Sequence, residues 1–326
     1  MSDIDEIVGV LHRFDGITRK YVLPAIIGRL RKESYAGVSE HTLGEDSAAI
    51  EGGSADTVLL TTDSIVEELC VAHPRAAGFN VVLACVMDIY AAGGIPTSFA
   101  VALSYSSPSI GEEMLRGLIE ASHTFRVPIV RGHTNPQSRS TYVVGSATGR
   151  VRKKDLLTAG GARPGDSLVL IFDPAGQRGV HYRLGWDSVT GRSADVIGLR
   201  LSTMNALAKA HLLSASKDVS VAGLIGTSGM MLEYSGVGGL VDLDSVNASR
   251  PIPIPLIDWI RMYLSLGFLV SVSQGRIEQV TKCVNKHGMR AVCIGSVDDS
   301  SSLRVSYQGE ERVVFDFERG PVLTPR

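Results

Sequence analysis

The tightest constraint on this chain is the run Val81 to Ala92, VVLACVMDIYAA, which is apolar on nearly every side and long enough for a buried helix. It carries Asp88 near its middle, where a helix offers a carboxylate no free backbone N–H. Burying an unpaired carboxylate is costly, so such a residue needs a cation, a set of donors or a shifted pKa. Two further aspartates stand nearby in sequence. Asp63 closes Thr57 to Thr62, TVLLTT, a strand by its β-branched content, and Asp46 follows Gly44-Glu45 and opens the short apolar run Ser47 to Ile50. Taken singly, Asp46 and Asp63 read as turn or cap residues. Together with Asp88 they point to one shared cation, and hard oxygen ligands suit Mg²⁺ completed by waters and substrate phosphates.

Composition narrows the class. A chain of 326 residues exceeds the usual single core and predicts two domains. With 44% hydrophobic residues, 20% charged and a net charge of −2, it reads as an ordinary soluble protein for which nucleic acid is not the main partner. The one basic cluster, Arg150 to Lys154, reads as a solvated loop. Cys70, Cys85, Cys283 and Cys293 lack metal-ligand spacing and have mostly apolar neighbours, so they read as reduced core thiols. The acidic start, MSDIDEIVGVLHRF, is no signal peptide, and no window is long and apolar enough for a membrane span. The expected location is the cytoplasm.

In chain order, residues 3–33 show a helical period interrupted at Gly16 and Pro24. A strand is expected over 98–104, a helix over 109–125 capped by Ser109, and strands over 127–130 and 141–151. Residues 160–166 form a turn cluster, followed by a strand over 167–172. The segment 173–193, rich in Gly, Arg and Asp, reads either as a mobile loop over a site or as a plain surface insertion. A helix is expected over 197–216, a Gly-rich helix start from 222, and a helix end, turn and strand over 235–244. Beyond lie a helix over 256–266, a strand over 267–272, a helix over 275–288, a strand over 290–297 and one or two edge strands over 303–323. Each half mixes strands with helices without regular βαβ alternation. The expected class is α+β, with helices on one face of a mostly antiparallel sheet and a boundary near 151–158, dividing the chain into 1–152 and 153–326. No G-x-x-x-x-G-K-[ST], G-x-S-x-G or H-E-x-x-H sequence occurs.

Several segments then match, in order, the patterns of one superfamily. Gly44-Glu45-Asp46-Ser47-Ala48 stands for G-D-D-A-A, and Thr61-Thr62-Asp63 for T-T-D. Met87 to Pro96 stands for S-D-[IL]-x-A-M-G-[GA]-x-P, and Ile129 to Thr134 for [IV]-[VP]-G-G-[DH]-T. Asp218 to Gly226 is similar to D-V-T-G-F-G-L-x-G, and Gly236 to Asp244 to the segment after it. The chain thus resembles the PurM-like superfamily, which includes aminoimidazole ribonucleotide (AIR) synthase, thiamine-monophosphate kinase, selenophosphate synthetase and a hydrogenase maturation protein. Within it the chain looks like the AIR synthase-related proteins.

The resemblance implies an N-terminal sheet that pairs across a homodimer, ATP at that interface, and a C-terminal α/β-sandwich domain. It implies Mg²⁺ on Asp46, Asp63, Asp88 and Asp218, the last of which gains its role only from the resemblance. Gly132, His133 and Thr134 would lie near the phosphates or the second substrate, with Gly44 and Thr62 on the nucleotide side. Asn135 or His133 would orient the substrate. Apart from the resemblance, the charge and glycine content of the 173–193 segment suggest that Arg178 or Arg183 closes on phosphate. Glu45, Met87 and Arg131 depart from the patterns, as does Val221-Ala222, where thiamine-monophosphate kinase carries a second Asp. Residues 1–40 hold no Cys, and the chain ends in LTPR, so neither the selenophosphate nor the hydrogenase-maturation chemistry is supported. The expected activity is phosphoryl transfer to, or ATP activation of, an oxygen of an unidentified small molecule, kinase-like or ligase-like. The alternative is an inactive nucleotide-binding accessory subunit of a larger complex.

Overall fold

A computed structural model describes residues 2–35, 43–50 and 55–325. Two sheets organise them. The first has five strands in the order Ala48–Ile50, Asp56–Ser64, Tyr142–Arg152, Ile95–Tyr105, Ile129–Pro136. Its neighbours are antiparallel except for the last pair, which is parallel. Along Asp56–Ser64 the side chains alternate, with Thr57, Leu59 and Thr61 buried and Val58, Leu60 and Thr62 exposed. The buried face is covered by helices Pro74–Ala91 and Pro108–Phe125, while no helix among the described residues packs on the outer face.

Helix Pro74–Ala91 explains the apolar run. It is buried around most of its circumference, between the first sheet, helix Pro108–Phe125 and helix Ala194–Lys209, so no polar face is needed. The approach to Pro108–Phe125 depends on two glycines. A Cβ at Gly78 would meet the Met114 carbonyl oxygen at 2.1 Å, and one at Gly117 would meet that of Arg75 at 2.0 Å. The helix ends at Gly93, whose φ of +78° suits glycine, and Asn205 donates to the Gly93 and Gly94 carbonyls at 2.8 Å each.

The second sheet has seven strands, Glu310–Asp316, Ser302–Tyr307, Gly238–Asp242, Arg290–Asp298, Asp166–Phe172, Gly267–Ser273 and Ala215–Asp218. Asp166–Phe172 is buried at every position, which is why it is apolar without a break from Leu168 to Phe172. Val169 and Ile171 face helices Ala194–Lys209 and Ile277–Lys286 and share the core of the first sheet's helices. Leu168, Leu170 and Phe172 face the other way, toward helix Gly223–Ser235 and the N-terminal helices Asp3–His12 and Asp15–Thr18. Ile4, Ile7, Leu11, Phe14 and Ile17 therefore belong to the second sheet's core, although they precede the first sheet in the chain. The fold is α+β, built from two sheets with helices packed on them, as expected from the sequence.

Local boundaries differ where one residue outweighs periodicity. Helix Pro108–Phe125 is capped at Ser107 rather than Ser109, because Pro108 takes the first turn. Residues 131–136, expected to leave the strand, continue it beside Ile95–Tyr105. The helix expected over 197–216 runs Ala194–Lys209 from the Ser193 cap, and Ala215–Asp218 is instead a fully buried edge strand. Residues 256–266 hold only a four-residue helix and the short strand Tyr263–Leu264. Cys70 and Cys85 are core thiols as expected, but Cys283 is half-buried and Cys293 exposed, because strand Arg290–Asp298 turns Cys293 outward.

Candidate functional site

Asp63 and Asp88 are brought together by the first sheet and the helix on it. Thr61, on the buried face of its strand, donates from Oγ1 to Asp88 Oδ2. Asp63, two residues on, lies on the same side and shares a hydrogen bond with Asp88. Asp218 arrives from the other half, at the end of the edge strand Ala215–Asp218. Asp46 bridges the two: Lys217 Nζ pairs with its Oδ1, and the Asp218 backbone N–H donates to its Oδ2 at 3.2 Å. One carboxylate oxygen from each of Asp46, Asp88 and Asp218 lies within 4.8 Å of the others.

This crowding has electrostatic consequences. Burial, reinforced by the charges of Asp63, Asp218 and Asp46, holds Asp88 well above the usual carboxylate range. Burial likewise raises Asp63, and together with the Asp46 charge it raises Asp218 to about 8. Burial works against the Lys217 charge, but the Asp46 carboxylate outweighs it and holds the ammonium above its ordinary value. Lys20, half-buried on the N-terminal segment, is depressed by burial and by Lys217, against the pull of Asp218, Asp63 and Asp46. Among the described residues Lys217 contacts this cluster through Asp46 alone, and an all-oxygen donor set of this kind fits a hard divalent ion.

The cluster opens on a cavity of about 1160 Å³ in the seam between the halves, lined in part by Asp63, Asp88 and Asp218. Its walls come from the N-terminal segment, the start of helix Pro74–Ala91 and the stretch Gly179–Arg192. Within the segment 173–193, part of the stretch 179–192 lines this cavity, and the segment is held by its own hydrogen bonds. Gln177–Arg178 and Gly185–Asp187 form a small sheet with Tyr263–Leu264, and buried Trp186 donates from Nε1 to the Asp173 carbonyl at 2.9 Å.

The remaining sequence candidates lie elsewhere. Arg178 pairs with buried Asp258 at 2.9 Å and Arg183 approaches it at 3.7 Å; neither lines the cavity. Gly132, His133, Thr134 and Asn135 lie on the exposed edge strand Ile129–Pro136, away from the cavity, and Asn135 Nδ2 is 3.4 Å from the Tyr142 hydroxyl. Thr62 is on the outer face, its hydroxyl 2.9 Å from that of Ser146. Gly44, with φ of +107°, lets the chain pass 2.8 Å from the Tyr234 ring where a Cβ would stand. Glu45 accepts from the Ala159 N–H at 2.7 Å, and its charge also acts on Lys217.

Sequence reasoning missed Lys217, Lys20 and Tyr263. Lys217 was hidden by reading 197–216 as one helix, which made Lys217-Asp218 its polar end. Tyr263 lines the cavity with a buried hydroxyl that has no partner among the described residues, and its phenol is pushed up by burial and by Asp218, Asp63 and Asp88. Nothing in the local sequence marks it.

Comparison with known proteins agrees with this architecture. The family models for the N-terminal and C-terminal domains of AIR synthase related proteins match residues 44–151 and 163–308. An uncharacterized protein of Synechocystis is 30% identical over 98% of this chain and 96% of its own length. Phosphoribosylformylglycinamidine synthase II of Thermotoga maritima superposes with a TM-score of 0.76 at 17% identity, over 96% of this chain and 52% of that one. ThiL complexed with AMPPCP and TMP gives 0.66 at 18% identity, over 90% of this chain and 96% of that one. PurL of T. maritima has also been solved with ADP, AMPPCP and ATP. At such identities the solved structures establish the fold.

Proposed function

The chain belongs to the AIR synthase-related family, and on that footing we propose that it is a Mg²⁺-dependent, ATP-using enzyme acting on an oxygen of a small molecule. The observation that carries this reading is the convergence of Asp46, Asp88 and Asp218 within 4.8 Å, with Asp63 beside them, at the end of a large cavity. Solved relatives with bound nucleotides support the ATP part. Asp46, Asp63, Asp88 and Asp218 would hold Mg²⁺, which when bound neutralises phosphate charge. The chain's own contribution is positional. Thr61 orients Asp88, the Asp218 N–H and Lys217 orient Asp46, and Gly179–Arg192 shields the cavity from water.

In this reading the uncovered face of the first sheet, with Val58, Leu60 and Thr62, packs against a second copy, and the protein works as a cytoplasmic homodimer. Arg178 and Arg183 act by holding the 173–193 segment to Asp258. The test is a melting series with ATP, with Mg²⁺ and with both, on the wild type and Asp63→Asn, beside an ADP-release assay. Ligand at about 100 times its Kd adds about 2.7 kcal/mol. A rise requiring both ligands, lost in the variant, is the expected result; no rise in any condition refutes the reading. Binding without turnover would instead identify a nucleotide-binding accessory subunit.

A further inference from the structure

The carboxylate cluster has two sides, and the chain supplies a cation of its own to one of them. Asp63, Asp88 and Asp218 line the cavity, whereas Asp46 and Lys217 do not. Lys217 lies behind the cluster on the fully buried edge strand Ala215–Asp218, 4% exposed, with its Nζ on Asp46 Oδ1. Asp46 takes the Asp218 N–H on its other oxygen, so the second half of the chain answers both oxygens from the rear. Lys20 adds a further positive charge from the N-terminal segment, in the field of Asp218, Asp63 and Asp46. Against the four carboxylates, these two lysines leave a demand that one divalent ion meets.

The spacing agrees with that count. Oxygens bound to a single Mg²⁺ stand at most about 4.2 Å apart, twice the metal–oxygen distance. One oxygen from each of Asp46, Asp88 and Asp218 lies within 4.8 Å of the others, close to that span. In a two-metal site the second ion stands about 3.5–4 Å from the first and needs oxygen ligands of its own. Here the place beside Asp46 Oδ1 is taken by the Lys217 ammonium. Resting on the Mg²⁺ reading above, we propose that Lys217 is a resident cation standing where a second divalent ion would otherwise bind. The chain without nucleotide therefore takes a single ion, on the cavity side of the cluster. Lys217 acts through Asp46 and is a positioning residue: it holds that carboxylate toward Asp88 and Asp218 and balances its charge.

The probe is Mn²⁺, a divalent ion that suits oxygen ligands and whose free form electron paramagnetic resonance counts. It is titrated into the full chain after EDTA treatment and dialysis, without nucleotide, and then displaced with Mg²⁺. The wild type is expected to bind one Mn²⁺ per chain, displaced by Mg²⁺ and lost in Asp88→Asn. Lys217→Ala, which removes the ammonium and opens its space, should bind two, and Lys217→Arg, which keeps the charge, should bind one. Adding Asp46→Asn to Lys217→Ala should remove the second ion again. A lysine with a merely structural role would leave the count at one in every Lys217 variant. Two ions in the wild type, a single ion in Lys217→Ala, or an ion that survives Asp88→Asn overturns the inference, and the wild-type count decides even if Lys217→Ala does not fold. No Mn²⁺ on the wild type overturns it too, and a melt of the same sample with ATP and Mg²⁺ then separates the two readings. If ATP and Mg²⁺ together still raise the melting temperature, only the role of Lys217 fails; if they do not, the Mg²⁺-dependent reading fails with it.

Discussion

Lys217→Met is the most informative perturbation of the site. Lys217 is 4% exposed, its Nζ rests on Asp46, and the replacement keeps the unbranched apolar shape while deleting the charge. The Asp218 N–H still donates to Asp46 at 3.2 Å, but Asp46 loses the ammonium paired with it. Removing one partner of a buried pair costs about 3–5 kcal/mol, because the other charge stays behind unanswered. At about 2–4 °C per kcal/mol for a large domain, the variant should melt roughly 6–20 °C below the wild type in EDTA at pH 8. Excess Mg²⁺ should recover most of the loss, since a saturating ligand at about 100 times its Kd returns about 2.7 kcal/mol. Scanning calorimetry in EDTA and in millimolar Mg²⁺ reads both effects. A variant that melts within about 2 °C of the wild type in EDTA would show that Lys217 does not compensate the cluster, and the electrostatic account would fall.

In the wild type without metal, Asp63, Asp88 and Asp218 have folded pKa values raised above 3.8, Asp218 to about 8, so the native state binds more protons than the unfolded chain across that window. Their contribution is present below pH 4 and lost as pH rises toward 8; the melting temperature in EDTA should decline from pH 6 to pH 8.5, and Mg²⁺ should flatten that decline. Gly117→Ala places a Cβ 2.0 Å from the Arg75 carbonyl oxygen and should destabilise by about 1–3 kcal/mol, read as a lower denaturant midpoint at unchanged slope. Asp258→Asn removes the anchor of Arg178, Arg183 and Arg261, and limited trypsinolysis should cleave after Arg178 and Arg183 several-fold faster than in the wild type, as expected when a local segment opens more often.

The sequence announced what depends on neighbours in the chain. The apolar run around Asp88 reads as a buried helix from its length and all-round apolarity, and the run before Asp63 reads as a strand from its β-branched content, because both signals lie within the segment itself. Those two elements make Asp63 and Asp88 stand out, Asp46 joins them as the acid that opens the short apolar run after Gly44-Glu45, and motif order adds only Asp218. Punctuation by single residues was less legible: Ser107 rather than Ser109 caps a helix, and Ala215–Asp218 leaves a predicted helix to become a strand edge. Edge pairing is a property of the partner strand Gly267–Ser273, which lies some fifty residues further on.

The sequence by itself therefore determined the α+β class, the two halves and the acidic character of the site. Tertiary structure alone decided that Lys217 is the cluster's cation, that Tyr263 and the N-terminal Arg13 and Lys20 share its cavity, and that Arg178 and Arg183 are spent on Asp258. It also decided that the first helices serve the second sheet's core. The physical reason is the same in each case. A side chain's chemistry is written locally, but its charge partner, its burial and its access to a cavity are set by segments far away in the chain, and these meet only when the two sheets close on one another.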